Sequence, residues 1–249
     1  MATKTSTKGS GKKPGKKPGK GHGKKKPPPQ TVTTIAEAVI LAIDANHDPV
    51  TNAPFEYREA NVYPHMEGKG FKIVRRQGAL ARRADVEPQA RKPNVVYLTG
   101  VGHGFPNSYT GDNQDPIFSK GHFRVEECKG KIVHFLSCET AAGLGPNFVD
   151  NGCRAYFGYS DNFTYPPILA DIFFECDSEI DLGFADGLNA DEVFQRVIAR
   201  FQKHIDQLKS TGDSGDLHNA SILEVDLRLL RAPSVSEEYG DKKARLIQK

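Results

Sequence analysis

Three short strand-like runs, two β-branched and one aromatic, each closed by a small residue and separated by helix-length segments, constrain this chain most. They are "NVVYLTG" (94–100), "KIVHFLSC" (131–138) and "RAYFGYS" (154–160). Apolar residues at nearly every position mark strands covered on both faces, as in a parallel sheet. A short helical segment, "GPNFVDNG", separates the second run from the third, and "PPILADIFFECDSEI" and "NADEVFQRVIARFQKHIDQLK" follow. In the last of these, Val193, Val197, Ile198, Phe201, Ile205 and Leu208 recur at helical spacing with charges between them. Asn189 caps it, and Asp191 and Glu192 favour its positive end. Strands alternating with helices predict an α/β fold with a mostly parallel central sheet, whose chemistry sits outside the carboxyl ends of the strands.

The segments upstream are less regular. "TVTTIAEAVILAIDAN" (31–46) reads as an amphipathic helix, and the polar, proline-dotted stretch to about residue 69 reads as loop. "FKIVRR" (71–76) is a short strand and "ALARRADVEPQA" a charged surface helix. "ASILEVDLRLL" (220–230) fits strand or helix equally, and the final polar residues are expected to fray. This organises the chain as a basic tail (1–30), an α/β domain (31–231) and a polar C-terminal tail (232–249).

The charge is unevenly distributed. Ten of the lysines fall in "MATKTSTKGSGKKPGKKPGKGHGKKKPPP" (1–29), which holds no acid. Without it, 24 basic residues face 31 acidic ones, so the remainder carries about −7. A lysine, proline and glycine tail without apolar residues after Met1 cannot bury enough surface to offset its ordering entropy, so disorder is expected. Such a tail contacts polyanions through phosphates in a salt-sensitive way, or serves as a solubilising linker. No stretch approaches the roughly 20 apolar residues of a membrane span. The lysine-rich start has no apolar run directly behind it, so a cytoplasmic chain is expected. Cysteines at 128, 138, 153 and 176 form no CxxC pair and suit reduced thiols rather than disulfides or a zinc site.

Two strand ends bear reactive residues. The 94–100 run leads into "GVGHGF", placing His103 just past it, and the 131–137 run leads into Cys138. On parallel neighbouring strands these side chains emerge at one edge of the sheet. That suits a dyad in which the imidazole takes the thiol proton and returns it to the leaving group. The surrounding glycines let backbone amides approach a developing oxyanion. A tight turn or a phosphate-cradling loop also accounts for "GVGHG", although no lysine with serine or threonine completes a phosphate-loop pattern. His134, inside the second strand, reads as a packed histidine.

"VVYLTGVGHG" followed by "KIVHFLSCETA" resembles the caspase-like cysteine peptidases of clan CD, and is most similar to their CHAT and gingipain-type branch. The resemblance covers about residues 92 to 210. It implies a caspase-hemoglobinase-like three-layer sandwich and a thiol protease that cleaves peptide bonds in protein substrates. In it Cys138 is the nucleophile, His103 the general acid/base, and the backbone amides of Gly104 and Cys138 form the oxyanion hole. No metal or organic cofactor takes part. The resemblance also places "GYSDNFTYPP" (158–167), with Ser160 and Asp161, along the substrate cleft. Asp161 there, or Asp112 in "SYTGDNQD", suits a basic P1 side chain, and Phe163 with Tyr165 suits an apolar one. Two other functions fit the same residues: a catalytically inactive caspase-like scaffold, and a nucleotide- or nucleic-acid-binding α/β module.

Overall fold

The parallel sheet is present, and its strands alternate side chains between two separate apolar clusters. A computed structural model of the protein describes residues 34–247. The basic tail predicted for residues 1–30 lies outside the described residues. In chain order the elements are β1 (Val39–Asp44), α1 (Pro49–Asn61), α2 (Tyr63–Gly68), β2 (Lys72–Gln77), α3 (Arg83–Ala90) and β3 (Val95–Val101). Then come β4 (Gly104–Phe105), β5 (Ser108–Thr110), β6 (Pro116–Ser119), α4 (Val125–Cys128), β7 (Ile132–Leu136), α5 (Leu144–Asp150) and β8 (Ala155–Tyr159). The last are α6 (Ala170–Ala185), α7 (Ala190–Thr211), α8 (Ser214–Leu229) and β9 (Leu230–Arg231).

The main sheet runs β2-β1-β3-β7-β8-β9. Its first five strands are parallel, and β9 closes the edge antiparallel to β8. Ile40, Tyr97, Ile132 and Phe157 point to one face, against Tyr63 and Met66 of α2, Phe173 and Ile180 of α6, Val193 and Val197 of α7, and Leu223 of α8. Leu41, Leu98, Val133 and Tyr156 point to the other, against Val86 of α3, Cys128 of α4 and Phe148 of α5. The result is a three-layer α/β sandwich, with the sheet as the middle layer. The small antiparallel sheet β4-β5-β6 leaves the carboxyl end of β3.

Four segments differ from the sequence-based expectation. The run read as a helix at 31–46 is, over its described part from Thr34, a short 3-10 turn (Ile35–Glu37) followed by β1, all six of whose residues are buried. A strand covered on both faces carries apolar residues on both, which erases the alternation that separates strand from helix. The stretch read as loop to residue 69 contains α1 and α2. Asp48 caps α1, its Oδ1 accepting from Val50 N at 2.9 Å and Thr51 N at 3.0 Å, with Pro49 at the first helical position. Pro54 inside α1 has no N–H for the Val50 carbonyl, which instead accepts from Tyr165 Oη at 2.9 Å.

"ASILEVDLRLL" is both alternatives in succession, the end of α8 and then β9. Residues 232–247, expected to fray, pack: Ala232, Tyr239, Ala244 and Leu246 are buried, and Asp241 N donates to Arg154 O at 2.7 Å. Their apolar residues are sparse and fall without a period to read. No helix among the described residues is long and apolar enough to cross a membrane.

Under the sheet's carboxyl edge lies a buried polar network. Arg58 of α1 contacts Asp181 Oδ2 at 2.8 Å and Thr99 Oγ1 at 2.6 Å, and its Nε lies 3.7 Å from Asp44 Oδ1. Tyr63 Oη donates to the Asp44 carboxylate at 2.7 Å, and Asp44 Oδ1 also accepts from Val101 N at 3.1 Å. His134 is fully buried, with Nδ1 3.1 Å from Asp181 and Nε2 3.2 Å from Asp177. Burial favours its neutral form, but the two carboxylates outweigh that and push its pKa up to about 9. His134 is therefore an ion-paired core residue, and the network ties α1 and α6 to the strand end that carries His103.

Candidate active site

Cys138 and His103 stand at the ends of adjacent strands. β3 pairs with β7 in parallel, Val101 opposite Leu136. His103 is two residues past Val101 and Cys138 two past Leu136, so both leave the same edge of the sheet. They line one small cleft of about 40 Å³, together with Val50, Pro54, Phe163 and Tyr165 among others.

The backbone around them is tightly constrained. A Cβ on Gly104 would lie 2.0 Å from the Cys138 carbonyl oxygen and 2.9 Å from Thr140 Cγ2. Only glycine lets the two loops approach this closely. After Cys138 the chain turns sharply: Glu139 holds a left-handed conformation (φ 56°), its N donates to Asp161 O at 3.1 Å, and Thr140 N donates to Cys138 O at 2.6 Å. A non-glycine residue in that region costs of order 1–3 kcal/mol, a strain typical of functional turns.

Two amides remain open. His103 O accepts from Thr110 N at 2.9 Å, which makes Gly104 and Tyr109 the non-hydrogen-bonded pair of the β4–β5 hairpin. The Gly104 N–H is therefore not spent on that ladder, and the Cys138 N–H has no acceptor among the described residues.

His103 has a partner that the sequence reading missed. Its Nε2 lies 2.6 Å from Oδ2 of Asp48, while Asp48 Oδ1 caps α1. Burial would raise the Asp48 carboxyl, but hydrogen bonds from His103 and Thr51 and the charges of His103 and His47 bring it down to about 2. The ionised carboxylate fixes the His103 ring by its Nε2 edge, and Nδ1 has no hydrogen-bond partner among the described residues. The signal lay in "AIDANHDP": had the apolar run been read as a strand, His47 and Asp48 would have stood at its carboxyl end.

Cys138 is the partly exposed cysteine, whereas Cys128, Cys153 and Cys176 are buried. Burial raises its thiol above the ordinary cysteine range. A backbone hydrogen bond at Phe163 offsets part of this, and Glu139, Asp226 and Asp161 add to the rise. Its sulfur contacts Phe163 O at 3.9 Å, and no hydrogen bond joins it to His103 among the described residues. The resting pair is thus a neutral thiol beside an oriented imidazole, not a preformed thiolate.

The three residues expected to meet substrate separate. Asp161 and Ser160, like Asp112, are not among the residues that line the cleft. Asp161 is exposed beside the Cys138 turn, and among the described residues its Oδ1 accepts from Asn162 N at 2.8 Å. Ser160 is tied to the end of α8, its Oγ donating to Leu229 O at 3.2 Å. Asp112 is nearly buried outside the cleft lining, and its carboxylate is held by Arg82 at 2.8 Å. A carboxylate already paired with a guanidinium offers no net charge to a basic side chain, which counts against Asp112 as the carrier of that charge. Buried Asp226 anchors the cleft wall by accepting from Thr164 N at 3.2 Å. Desolvation dominates its surroundings and lifts its pKa to about 8.

An apolar groove of about 510 Å³ continues from the cleft, sharing Val50, Phe163 and Tyr165 and adding Pro49, Ala53, Pro167 and Ala170. A separate cavity of about 520 Å³ among Asp191 and residues 233–243 is lined by no cysteine or histidine.

No protein family matches the chain, and no curated protein is similar to it in sequence. Among solved structures it is similar to the Arg-specific cysteine proteinase gingipain R, with a TM-score of 0.56 over 88% of this chain at 10% identity. It is also similar to a complex of the pro- and mature domains of RgpB from Porphyromonas gingivalis, with a TM-score of 0.54 over 88% of this chain at 10% identity. The chain spans about half the length of these structures, 50% and 51%. The likeness shows the caspase-like fold.

Proposed function

We propose that this protein is a cysteine endopeptidase that cleaves protein or peptide substrates. One observation carries the reading: Cys138 and His103 line a single cleft at the carboxyl ends of adjacent parallel strands, with Asp48 fixing the imidazole at 2.6 Å. The resemblance of "LSCETA" to the CHAT and gingipain-type branch and the fold of the structural neighbours support it.

In this reading substrate enters beside Cys138, and His103 Nδ1 takes the thiol proton as the sulfur attacks the scissile carbonyl carbon. The carbonyl oxygen becomes an oxyanion held by the Gly104 and Cys138 N–H groups. His103 then gives its proton to the leaving amine, the C–N bond breaks, and water hydrolyses the thioester with His103 again as base. Asp48 stabilises the imidazolium formed between these steps, the role of an orienting carboxylate. The raised thiol makes proton removal part of the attack.

Asp161 selects basic P1 side chains, and the apolar groove accepts a bulky residue elsewhere in the peptide. The basic tail adds salt-sensitive contact with polyanions, and the four free thiols suit a cytoplasmic setting. The deciding experiment compares wild type with Cys138→Ala and His103→Ala on a peptide library. Cleavage by wild type that both variants lose supports the reading. Retained cleavage in either variant refutes it.

A further inference from the structure

A second cluster adjoins the cleft through His103, which lines it. His47 and Asp48 stand just past the end of β1 at Asp44, and both lie against His103. Two imidazole nitrogens converge on one oxygen: His103 Nε2 lies 2.6 Å and His47 Nε2 3.1 Å from Asp48 Oδ2. One potential ligand atom from each residue lies within 4.8 Å of the others.

The two contacts differ in kind. His103 meets Asp48 as a hydrogen bond, whereas both ring nitrogens of His47 are buried without a hydrogen-bond partner among the described residues. Leaving such a nitrogen unsatisfied is unfavourable, because its lost hydration is not replaced. A cation between the two rings and the carboxylate would satisfy it.

We propose that His47, Asp48 and His103 form a zinc site that controls the cleft. Two imidazoles and a carboxylate are a donor set for zinc with three protein ligands and one open position. Ligand bonds of about 2.0–2.2 Å around a tetrahedral centre put donor atoms roughly 3.3 Å apart, and Asp48 Oδ2 already lies 2.6 Å and 3.1 Å from the two ring nitrogens. Imidazole nitrogen disfavours magnesium and calcium, which take oxygen ligands. The site is reachable, since His103 and Asp48 keep 26% and 27% of their side-chain surface exposed.

The consequence for catalysis rests on the peptidase reading; the binding does not. In the working state the Nε2–H of His103 donates to Asp48, and the Nδ1 lone pair accepts the Cys138 proton. Zinc needs the Nε2 lone pair. A neutral His103 ring must then carry its proton on Nδ1, and a protonated ring releases one proton to solvent and keeps the other there. Either way Nδ1 can no longer accept a proton. Zinc therefore removes the base while leaving the cysteine untouched.

The test uses the full-length Cys138→Ala protein, so that no thiolate at the site competes for metal. ZnCl2 is titrated against a chromophoric chelator in thiol-free buffer near neutral pH. One tightly bound equivalent is expected, with affinity falling about tenfold or more in His47→Gln and in Asp48→Asn, each added to that background and each matching its circular dichroism. His47→Ala serves if His47→Gln does not fold. Absence of the bound equivalent, or His47 variants that bind as tightly as their parent, overturns the site. In wild type, zinc should stop peptide cleavage and a chelator restore it, and cleavage that persists at saturating zinc overturns the control. Zinc bound through His47 in a chain that cleaves no peptide refutes the peptidase reading and leaves the site standing.

Discussion

Gly104→Ala would perturb the candidate site without removing any side chain from it. The added Cβ would lie 2.0 Å from the Cys138 carbonyl oxygen and 2.9 Å from Thr140 Cγ2, where real Cβ atoms essentially never come within 3.0 Å. The two backbones must therefore part by about 1 Å, and neither is a flexible side-chain tip that could swing aside. That movement separates the two amides assigned to the oxyanion and shifts Cys138 relative to His103. Misplacement by about 1 Å costs roughly 100-fold in rate, or about 2.7 kcal/mol of barrier. The overlap should also cost about 1–3 kcal/mol of stability. The assay is kcat/KM on a peptide that wild type cleaves, measured well below the melting temperature of each protein. A Gly104→Ala protein with kcat/KM within about twofold of wild type would refute the close contact and the oxyanion assignment.

Stability should fall as pH rises from 6.5 towards 9. His134 has an ordinary value of 6.5 and is raised to about 9, so its contribution is complete below 6.5 and lost as pH passes through about 9. Asp226, raised from 3.8 to about 8, loses its contribution over that lower window. Each group contributes a slope of up to about 1.4 kcal/mol per pH unit between its two values, and Asp226→Asn should flatten the part below pH 8. Urea midpoints that stay level or rise across this range would contradict both assignments. Arg58→Met leaves Asp44 buried without its cation and Asp181 with His134 alone, and should cost about 3–5 kcal/mol in urea unfolding, whereas a loss under about 1 kcal/mol would show the network to be dispensable. Asp161→Ala should erase a preference for arginine or lysine at P1, and Asp112→Ala should leave it intact because Arg82 already holds that charge. Equal cleavage of basic and neutral P1 peptides by wild type would remove Asp161 from the pocket.

The strands that lead into the dyad were legible because β3 and β7 are β-branched runs closed by small residues, and β8 because it is a compact aromatic one. The long helix α7 was legible because its apolar residues keep strict helical spacing and Asn189 caps it. The interior strand β1 was not, since burial on both faces removes alternation and leaves a run that a helix also fits. That misreading concealed Asp48 and His47, whose position is informative only once β1 is known to end at Asp44. Pro49 and Pro54 concealed α1, although one occupies a favoured first position and the other frees a carbonyl that Tyr165 uses. Asp112 and Asp161 are both loop aspartates in sequence. They differ through Arg82, 30 residues before Asp112, and no local pattern reports a partner at that separation.

The central claim is that Cys138 attacks carbonyl carbon with His103 as its base. It is tested most directly by treating the full chain with a peptidyl acyloxymethyl ketone and locating the adduct by mass spectrometry. A single adduct on Cys138 is predicted, formed slowly or not at all in His103→Ala, while that variant keeps the wild-type melting temperature. Labelling of Cys138 at an equal rate in wild type and His103→Ala, or labelling of a different residue, would contradict the account.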